Sequence, residues 1–133
     1  MKLAKAELLL AALVFLTFGF GFLVVPVQWA AVVNILLPTP MARTDFRATY
    51  GGFEIGMGVF LAACALREHW LRPGLVALVW VAAGFGAGRL VGIVVEGTAS
   101  SLMLLFVVLE WTIALVTLYV LRRLPLGSGE VPG

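Results

Sequence analysis

Four apolar runs, each about as long as a lipid bilayer is thick, constrain this chain more than any other feature. They extend from Leu8 to Val25, from about Phe46 to Leu66, from Gly74 to Val95 and from Ser101 to Leu121. A helix needs about 20 residues to cross the hydrocarbon core, and it satisfies its backbone hydrogen bonds internally. The predicted fold class is therefore all-α, a transmembrane four-helix bundle.

The overall composition argues against a soluble protein. Of the 133 residues, 62% are hydrophobic and 12% are charged, whereas soluble domains have about 25% charged residues. A soluble domain of this size leaves about a third of its unfolded surface exposed. If this chain were soluble, much of that exposed surface would be apolar and would face water. The formal net charge is +2 and the basic residues are scattered. We therefore predict membrane lipid, and no nucleic acid, as a partner.

The connections between the runs indicate one domain. We predict a single four-span membrane domain over residues 1–123 and a flexible, Pro- and Gly-rich C-terminal tail over residues 124–133. Between the first two runs lies an apolar segment that prolines delimit and that is too short to cross the bilayer. Residues 27–37 therefore predict a short interfacial or re-entrant helix, and the sequence leaves these alternatives open. Trp29 is predicted to lie at headgroup level.

Several short side chains have a structural interpretation. Thr44 and Asp45 precede the second run and are predicted to form its N-cap, and Ser100 or Ser101 is predicted to cap the fourth helix. The single cysteine, Cys64, lies in an apolar run, where we interpret it as a packing residue.

Lys and Arg residues are more numerous at one end of the predicted bundle. Six of them flank the spans on the side of the termini and two flank the other side, so both termini are predicted to be cytoplasmic. The predicted location is the bacterial cytoplasmic (inner) membrane. The six are Lys2, Lys5, Arg67, Arg72, Arg122 and Arg123, and the two are Arg43 and Arg47.

Two charged residues lie inside predicted spans at similar depth. With about 1.5 Å of rise per residue, Glu54 lies ~12 Å and Arg89 ~9 Å from the same membrane surface. A charge at a helix centre costs roughly 2.5–3.5 kcal/mol on insertion scales, and pairing removes most of that cost. We therefore predict that Glu54 and Arg89 face one another as an ion pair.

Other polar residues extend this pair into a predicted polar cleft that faces outward. Arg47 and Tyr50 share one helix face with Glu54, and Glu110 lies near mid-membrane on the fourth span. Glu96 follows Arg89 by seven residues and extends the same patch. Three of these features have a structural alternative: the ion pair can lock the bundle, Arg47 can reach the membrane surface, and Glu96 can be a solvated loop residue. The candidate ligand-binding residues are Arg47, Tyr50, Glu54, Arg89, Glu96 and Glu110.

Glycines recur at every fourth position in the second and third spans. Small residues at this spacing let helix backbones approach closely in a membrane. We predict a helix-packing role for Gly52, Gly56, Gly84, Gly88 and Gly92.

Two stretches, LPTPMARTDFRATYGGFEIGMG and GRLVGIVVEG, carry a family resemblance. The chain resembles a family of small four-span bacterial integral membrane proteins of unknown function. Such proteins have an Arg-x-x-Tyr-Gly-Gly entry to the second span and a Gly-Arg-x-x-Gly stretch on the third. More loosely, the plan is similar to that of DoxX-like membrane proteins. The resemblance implies the four-span plan and no established activity. Its motif residues are Arg47, Tyr50, Gly51, Gly52, Gly56, Gly88, Arg89, Gly92, Glu96 and Gly97.

The function stays open among several classes. Metalloprotease, hydrolase, nucleotide-binding and redox signatures are absent from the sequence, so no catalytic residue, metal or cofactor is predicted. The favoured hypothesis is a non-enzymatic protein whose cleft binds a lipid-like or anionic small molecule or a partner subunit. The chain could act as a homo-oligomer or within a larger membrane complex. The alternatives are a purely structural subunit, a proton-coupled transporter, or a membrane-embedded enzyme on a lipid or quinone. In a transporter, Glu54 and Glu110 would be the titrating groups, and in an enzyme they would be the acid and the base.

Overall fold

A computed structural model describes residues 1–124, and these residues are almost entirely helical. Four helical stretches, Lys2–Val24, Pro40–Leu66, Glu68–Glu96 and Ser101–Arg123, are long and apolar enough to cross a membrane. The predicted all-α, four-span fold is thereby confirmed. Of the predicted tail, all but Leu124 lies outside the described residues. The elements are α1 (Lys2–Val24), α2 (Pro26–Val32), α3 (Pro40–Phe46), a π-helical segment (Arg47–Gly52), α4 (Phe53–Leu66), a 3-10 turn (Glu68–Trp70), α5 (Leu71–Glu96) and α6 (Ser101–Arg123).

The second span begins earlier than the hydropathy pattern indicates. Thr39 is the N-cap of α3, and its Oγ1 accepts a hydrogen bond from the backbone N–H of Ala42 at 3.1 Å. Pro40 follows at the first helical position, where its missing N–H costs nothing. Thr44 lies inside the helix and donates to the Pro40 carbonyl at 3.0 Å. The predicted cap at Thr44 and Asp45 is therefore wrong.

The cap of the fourth span is as predicted. Ser100 Oγ accepts a hydrogen bond from the backbone N–H of Met103 at 3.2 Å, so one of the otherwise unpaired donors at the start of α6 is satisfied.

The segment between the first two spans folds into a helix shorter than predicted. The helix α2 has seven residues, Pro26–Val32, and the chain then turns through Asn34, which has a φ of 59°. Asparagine tolerates this left-handed conformation better than most residues. Trp29 packs edge-on against Phe18 and Phe22, with ring centroids 5.3 and 5.7 Å apart. The segment thus folds back onto α1.

The two tightest helix contacts join α1 to α4 and α5 to α6. Glycine makes the first of these possible. A Cβ added to Gly19 would lie 2.8 Å from the backbone nitrogen of Ile55, and one added to Gly58 would lie 3.1 Å from the carbonyl oxygen of Ala12. Van der Waals packing holds membrane helices together, so this close approach stabilises the α1–α4 pair.

The predicted packing glycines are not the ones that the described chain uses. A Cβ on any of the last four predicted positions would meet no atom within 4 Å, and one on the first would meet only the Arg47 carbonyl oxygen at 3.7 Å. The buried face of the second span instead carries Gly51, Gly58 and Ala65, which are seven residues apart. A seven-residue spacing keeps one face towards a partner helix. The prediction is wrong within this chain for Gly52, Gly56, Gly84, Gly88 and Gly92.

A hydrophobic core closes the bundle at the end where α1 begins and α6 ends, which we call the terminal end. Lys5 Nζ and Glu68 Oε1 form an ion pair at 3.0 Å at the same end. The predicted packing role of Cys64 is confirmed, because its side chain is fully buried here. Cavities lie between the two helix pairs, both beside this core and farther towards the opposite end. The core residues are Ala4, Leu8, Ala12, Leu61, Cys64, Ala65, Leu71, Leu75, Leu78 and Val120.

We predict that Gly19→Ala destabilises the protein by about 1–3 kcal/mol, because the added methyl group overlaps the α4 backbone and forces the helices apart. Gly92→Ala is the matched control: its methyl group meets no atom within 4 Å, and alanine is the better helix former. Denaturant unfolding in detergent micelles measures the difference. Equal stability of the two variants would contradict the assigned α1–α4 contact.

Candidate functional site

A cavity of about 200 Å³ lies between the two helix pairs, and side chains from all four spans line it. Most of its wall is apolar and includes phenylalanines from α1, α5 and α6. We call it the polar cavity, because four polar side chains also line it: Tyr50, Glu54, Arg89 and Glu110.

An ion pair between α5 and α6 forms one wall of the polar cavity. Arg89 Nε donates to Glu110 Oε1 at 2.8 Å, and the Glu110 side chain is only 15% exposed. The guanidinium also lies over the Phe106 ring, 5.0 Å from its centroid. A charge-assisted hydrogen bond and a cation–π contact together place the Arg89 side chain against α6.

The predicted Glu54–Arg89 ion pair is wrong, since Arg89 takes Glu110 as its partner. The prediction placed the start of the second span at Phe46, whereas the helix begins at Pro40. Six additional residues place Glu54 about 9 Å farther along the helix than expected. Glu54 nevertheless lines the same cavity as Arg89.

Two carboxylate oxygens at the polar cavity have no hydrogen-bond partner among residues 1–124. Oε2 of Glu54 and Oε2 of Glu110 are both buried from solvent. A buried, unpaired polar group costs about 1–3 kcal/mol. Nε is the one Arg89 nitrogen that donates to a described residue, so the terminal nitrogens of the guanidinium remain available as donors. The polar cavity thus offers two acceptors and a donor group to a ligand.

Two structural features position the side chains that the second span contributes. Where α4 crosses Gly19, a Cβ on that glycine would lie 3.1 Å from the Glu54 Cβ, so glycine admits the glutamate close to α1. Tyr50 lies in the π-helical segment and stacks on Phe46, with ring centroids 4.6 Å apart. Such π-helical insertions change which face of a helix a residue occupies and occur often at functional sites.

Two of the six candidate residues lie apart from the polar cavity. Arg47 Nε donates to the Leu23 carbonyl at 2.9 Å, and Arg47 therefore satisfies a carbonyl at the C-terminus of α1. Glu96 is the exposed last residue of α5, just before Gly97, whose φ of 66° ends the helix. The structure therefore brings four of the six candidates together at the polar cavity. The other two, Arg47 and Glu96, lie at the C-terminal ends of α1 and α5.

The sequence-based prediction missed a buried polar contact near the terminal end. Thr117 is fully buried, and its Oγ1 donates to Oε1 of Glu7 at 2.5 Å. The other carboxylate oxygen of Glu7 is buried and accepts no hydrogen bond within residues 1–124. Thr117 follows Glu110 by seven residues and so shares its helix face. This seven-residue spacing in the sequence indicates that Thr117 also faces the interior of the bundle.

We predict that the Arg89→Gln and Glu110→Gln substitutions are strongly coupled. Each alone leaves a charge unpaired inside the bundle, so the double variant loses less stability than the sum of the single variants, by roughly 0.5–3 kcal/mol. The double-mutant cycle of Arg89→Gln with Glu54→Gln is the control. It should give a smaller coupling free energy, because Arg89 is paired with Glu110 and not with Glu54. Denaturant unfolding in micelles measures all five variants, and additive losses for Arg89 with Glu110 would refute the contact.

A family model described as "Domain of unknown function (DUF4345)" matches residues 3–121. No curated protein and no solved structure matches the chain. The looser resemblance to DoxX-like proteins, the bacterial inner membrane as location and the cytoplasmic termini stay predictions. The match covers almost all of the described residues, and the chain therefore belongs to the DUF4345 family of unknown function.

Proposed function

We propose that this protein binds a small amphipathic molecule in the polar cavity and holds an uncharged, hydroxyl-bearing head group there. The observation that carries the proposal is a pair of buried carboxylate oxygens, one of Glu54 and one of Glu110, with no hydrogen-bond partner within residues 1–124. Beside them lies the Arg89 guanidinium, whose terminal nitrogens donate to none of these residues. A hydroxyl group donates one hydrogen bond and accepts up to two, so a head group with two hydroxyl groups complements both carboxylate oxygens and the guanidinium.

The balance of charge in the polar cavity argues against an anionic head. Two carboxyl side chains and one guanidinium line it, and Arg89 is already paired with Glu110. An anion that approached Arg89 would also approach the Glu110 carboxylate that is already paired with it, and like charges at close range in a medium of low dielectric repel strongly. We therefore narrow the expected ligand from lipid-like or anionic to lipid-like and uncharged.

The rest of the cavity wall favours an amphipathic ligand over a small polar one. Phe15, Phe18 and Phe22 of α1 line it together with Phe85 and Phe106. Apolar and aromatic walls with a few polar groups are typical of sites that bind such molecules. A purely polar solute would leave this surface without complementary contacts.

Binding is better supported than catalysis at this site. Among the described lining residues there is no serine, cysteine, histidine or lysine, so the polar cavity lacks the usual pairing of a nucleophile with a base. Carboxyl and guanidinium groups suffice for recognition through hydrogen bonds.

We predict that Glu54→Leu stabilises the protein and weakens ligand binding. The substitution removes a buried carboxyl group that has no donor, which should raise the free energy of unfolding by about 1–3 kcal/mol. The same change removes an acceptor for the head group. The measurement is saturable binding of radiolabelled dodecylglycerol, a hydroxyl-bearing single-chain probe, to the protein in phosphatidylcholine nanodiscs. The affinity for this probe should fall by about tenfold, which corresponds to about 1.4 kcal/mol of binding free energy.

Two controls make this experiment specific. Glu96→Leu removes an exposed carboxyl group away from the polar cavity and should leave binding unchanged. Unlabelled dodecanoate, which has the same chain length and an anionic head, should compete less well than unlabelled dodecylglycerol. Binding that Glu54→Leu leaves intact, or that dodecanoate displaces more effectively, would count against the proposal.

A further inference from the structure

A second cavity, of about 350 Å³, adjoins the polar cavity and lies between α1 and α6. We call it the α1–α6 cavity. Its wall is almost entirely apolar, and Leu10, Ala11 and Val116 contribute to it. Four residues line both cavities, which are therefore immediate neighbours: Val14, Phe15, Leu78 and Ile113.

The polar cavity alone is too small for the proposed ligand. Its volume of about 200 Å³ lies below the range of about 300–1,000 Å³ that ligand sites usually occupy. With the α1–α6 cavity of about 350 Å³ the site falls within that range. The additional space is apolar, so it suits a hydrocarbon chain.

A third cavity also has Arg89 in its wall. This cavity, of about 310 Å³, extends towards Ile35 and the exposed Gly88, and both Tyr50 and Arg89 line it. Glu54, Arg89 and Glu110 line the polar cavity, whereas the wall of the α1–α6 cavity is almost entirely apolar between Val14 and the Glu7 carboxyl group at its far end. A head group at Arg89 and Glu110 would direct its chain along α1 towards the terminal end.

The α1–α6 cavity opens towards the surrounding lipid. The helices α1 and α6 make few close contacts, and Leu10 and Val116, which line the cavity, are 65% and 50% exposed. Glu7 and Thr117, joined by their hydrogen bond, lie at its terminal end. From Val14 to Glu7 is about 10 Å along α1, so the cavity accommodates a chain of limited length.

Building on the proposed function, we propose that the ligand is a single-chain amphipath that enters sideways from the bilayer between α1 and α6. Its chain lies in the α1–α6 cavity, and its head group reaches Glu54, Arg89 and Glu110. The head group distinguishes the occupant from bulk phosphatidylcholine. That lipid has no hydrogen-bond donor for the two carboxylate oxygens that lack a partner within residues 1–124.

The test uses dodecylglycerol with a photoreactive diazirine at the end of its chain, applied to the full-length protein in phosphatidylcholine nanodiscs. Mass spectrometry maps the labelled residues. We expect labelling that saturates, that unlabelled dodecylglycerol prevents, and that is confined to the segments of α1 and α6 that line the cavity, Glu7–Val14 and Thr112–Val116.

A matched pair of variants on α6 tests the position of the chain. Val116→Trp fills the α1–α6 cavity and should lower the saturable labelling by about tenfold, whereas Val108→Trp changes a residue that is 62% exposed and lines none of the cavities described above. Ala11→Leu narrows the cavity from the opposite wall and serves as a second filling variant. Similar labelling in the Val116 and Val108 variants would overturn the assignment.

The pattern of labelling separates failure of this inference from failure of the proposed function. Saturable labelling that Glu54→Leu abolishes but that maps to Ile35 or Gly88 would overturn the chain position and leave the head-group site standing. Labelling that never saturates and is spread around all four spans would overturn both, because the probe would then behave as bulk lipid.

Discussion

The ion pair between Arg89 and Glu110 is the interaction on which the rest of the site depends. Either charge alone at a helix centre would cost roughly 2.5–3.5 kcal/mol on insertion scales. At 2.8 Å the two side chains neutralise one another between adjacent antiparallel helices. The pair also fixes where polar groups can lie: the guanidinium is held against α6, at the wall of the cavity that Glu54 also lines.

The polar cavity results from how the four spans pair. Glycine lets α1 and α4 approach closely at Gly19 and Gly58, and in α5–α6 a Cβ on Gly86 would lie 2.8 Å from the Trp111 ring nitrogen. The core that joins the two pairs is concentrated at the terminal end. Tight pairs that meet mainly at one end leave space between them farther along. The same packing that holds each pair therefore creates the polar cavity.

Sequence analysis predicted the four spans and the inward orientation of their charged residues, because hydropathy and the cost of a buried charge are properties of each segment alone. It did not predict the partner of Arg89, since the position of Glu54 depends on a cap at Thr39 and on a π-helical segment. It selected the wrong glycines because small residues occur on more than one face of the same helix, and only tertiary contacts decide which face packs. Glu7 was overlooked because the apolar run begins just after it.

Solid-state NMR on the protein in lipid bilayers tests the central claim most directly. With labelled arginine side-chain nitrogen and labelled glutamate carboxyl carbon, the account predicts a strong dipolar coupling from Arg89 Nε to one carboxyl carbon. That coupling should disappear in Glu110→Gln and persist in Glu54→Gln. A coupling that survives loss of the Glu110 carboxyl group, or an Arg89 side chain with no carboxyl neighbour and close contacts to lipid chains, would contradict the account.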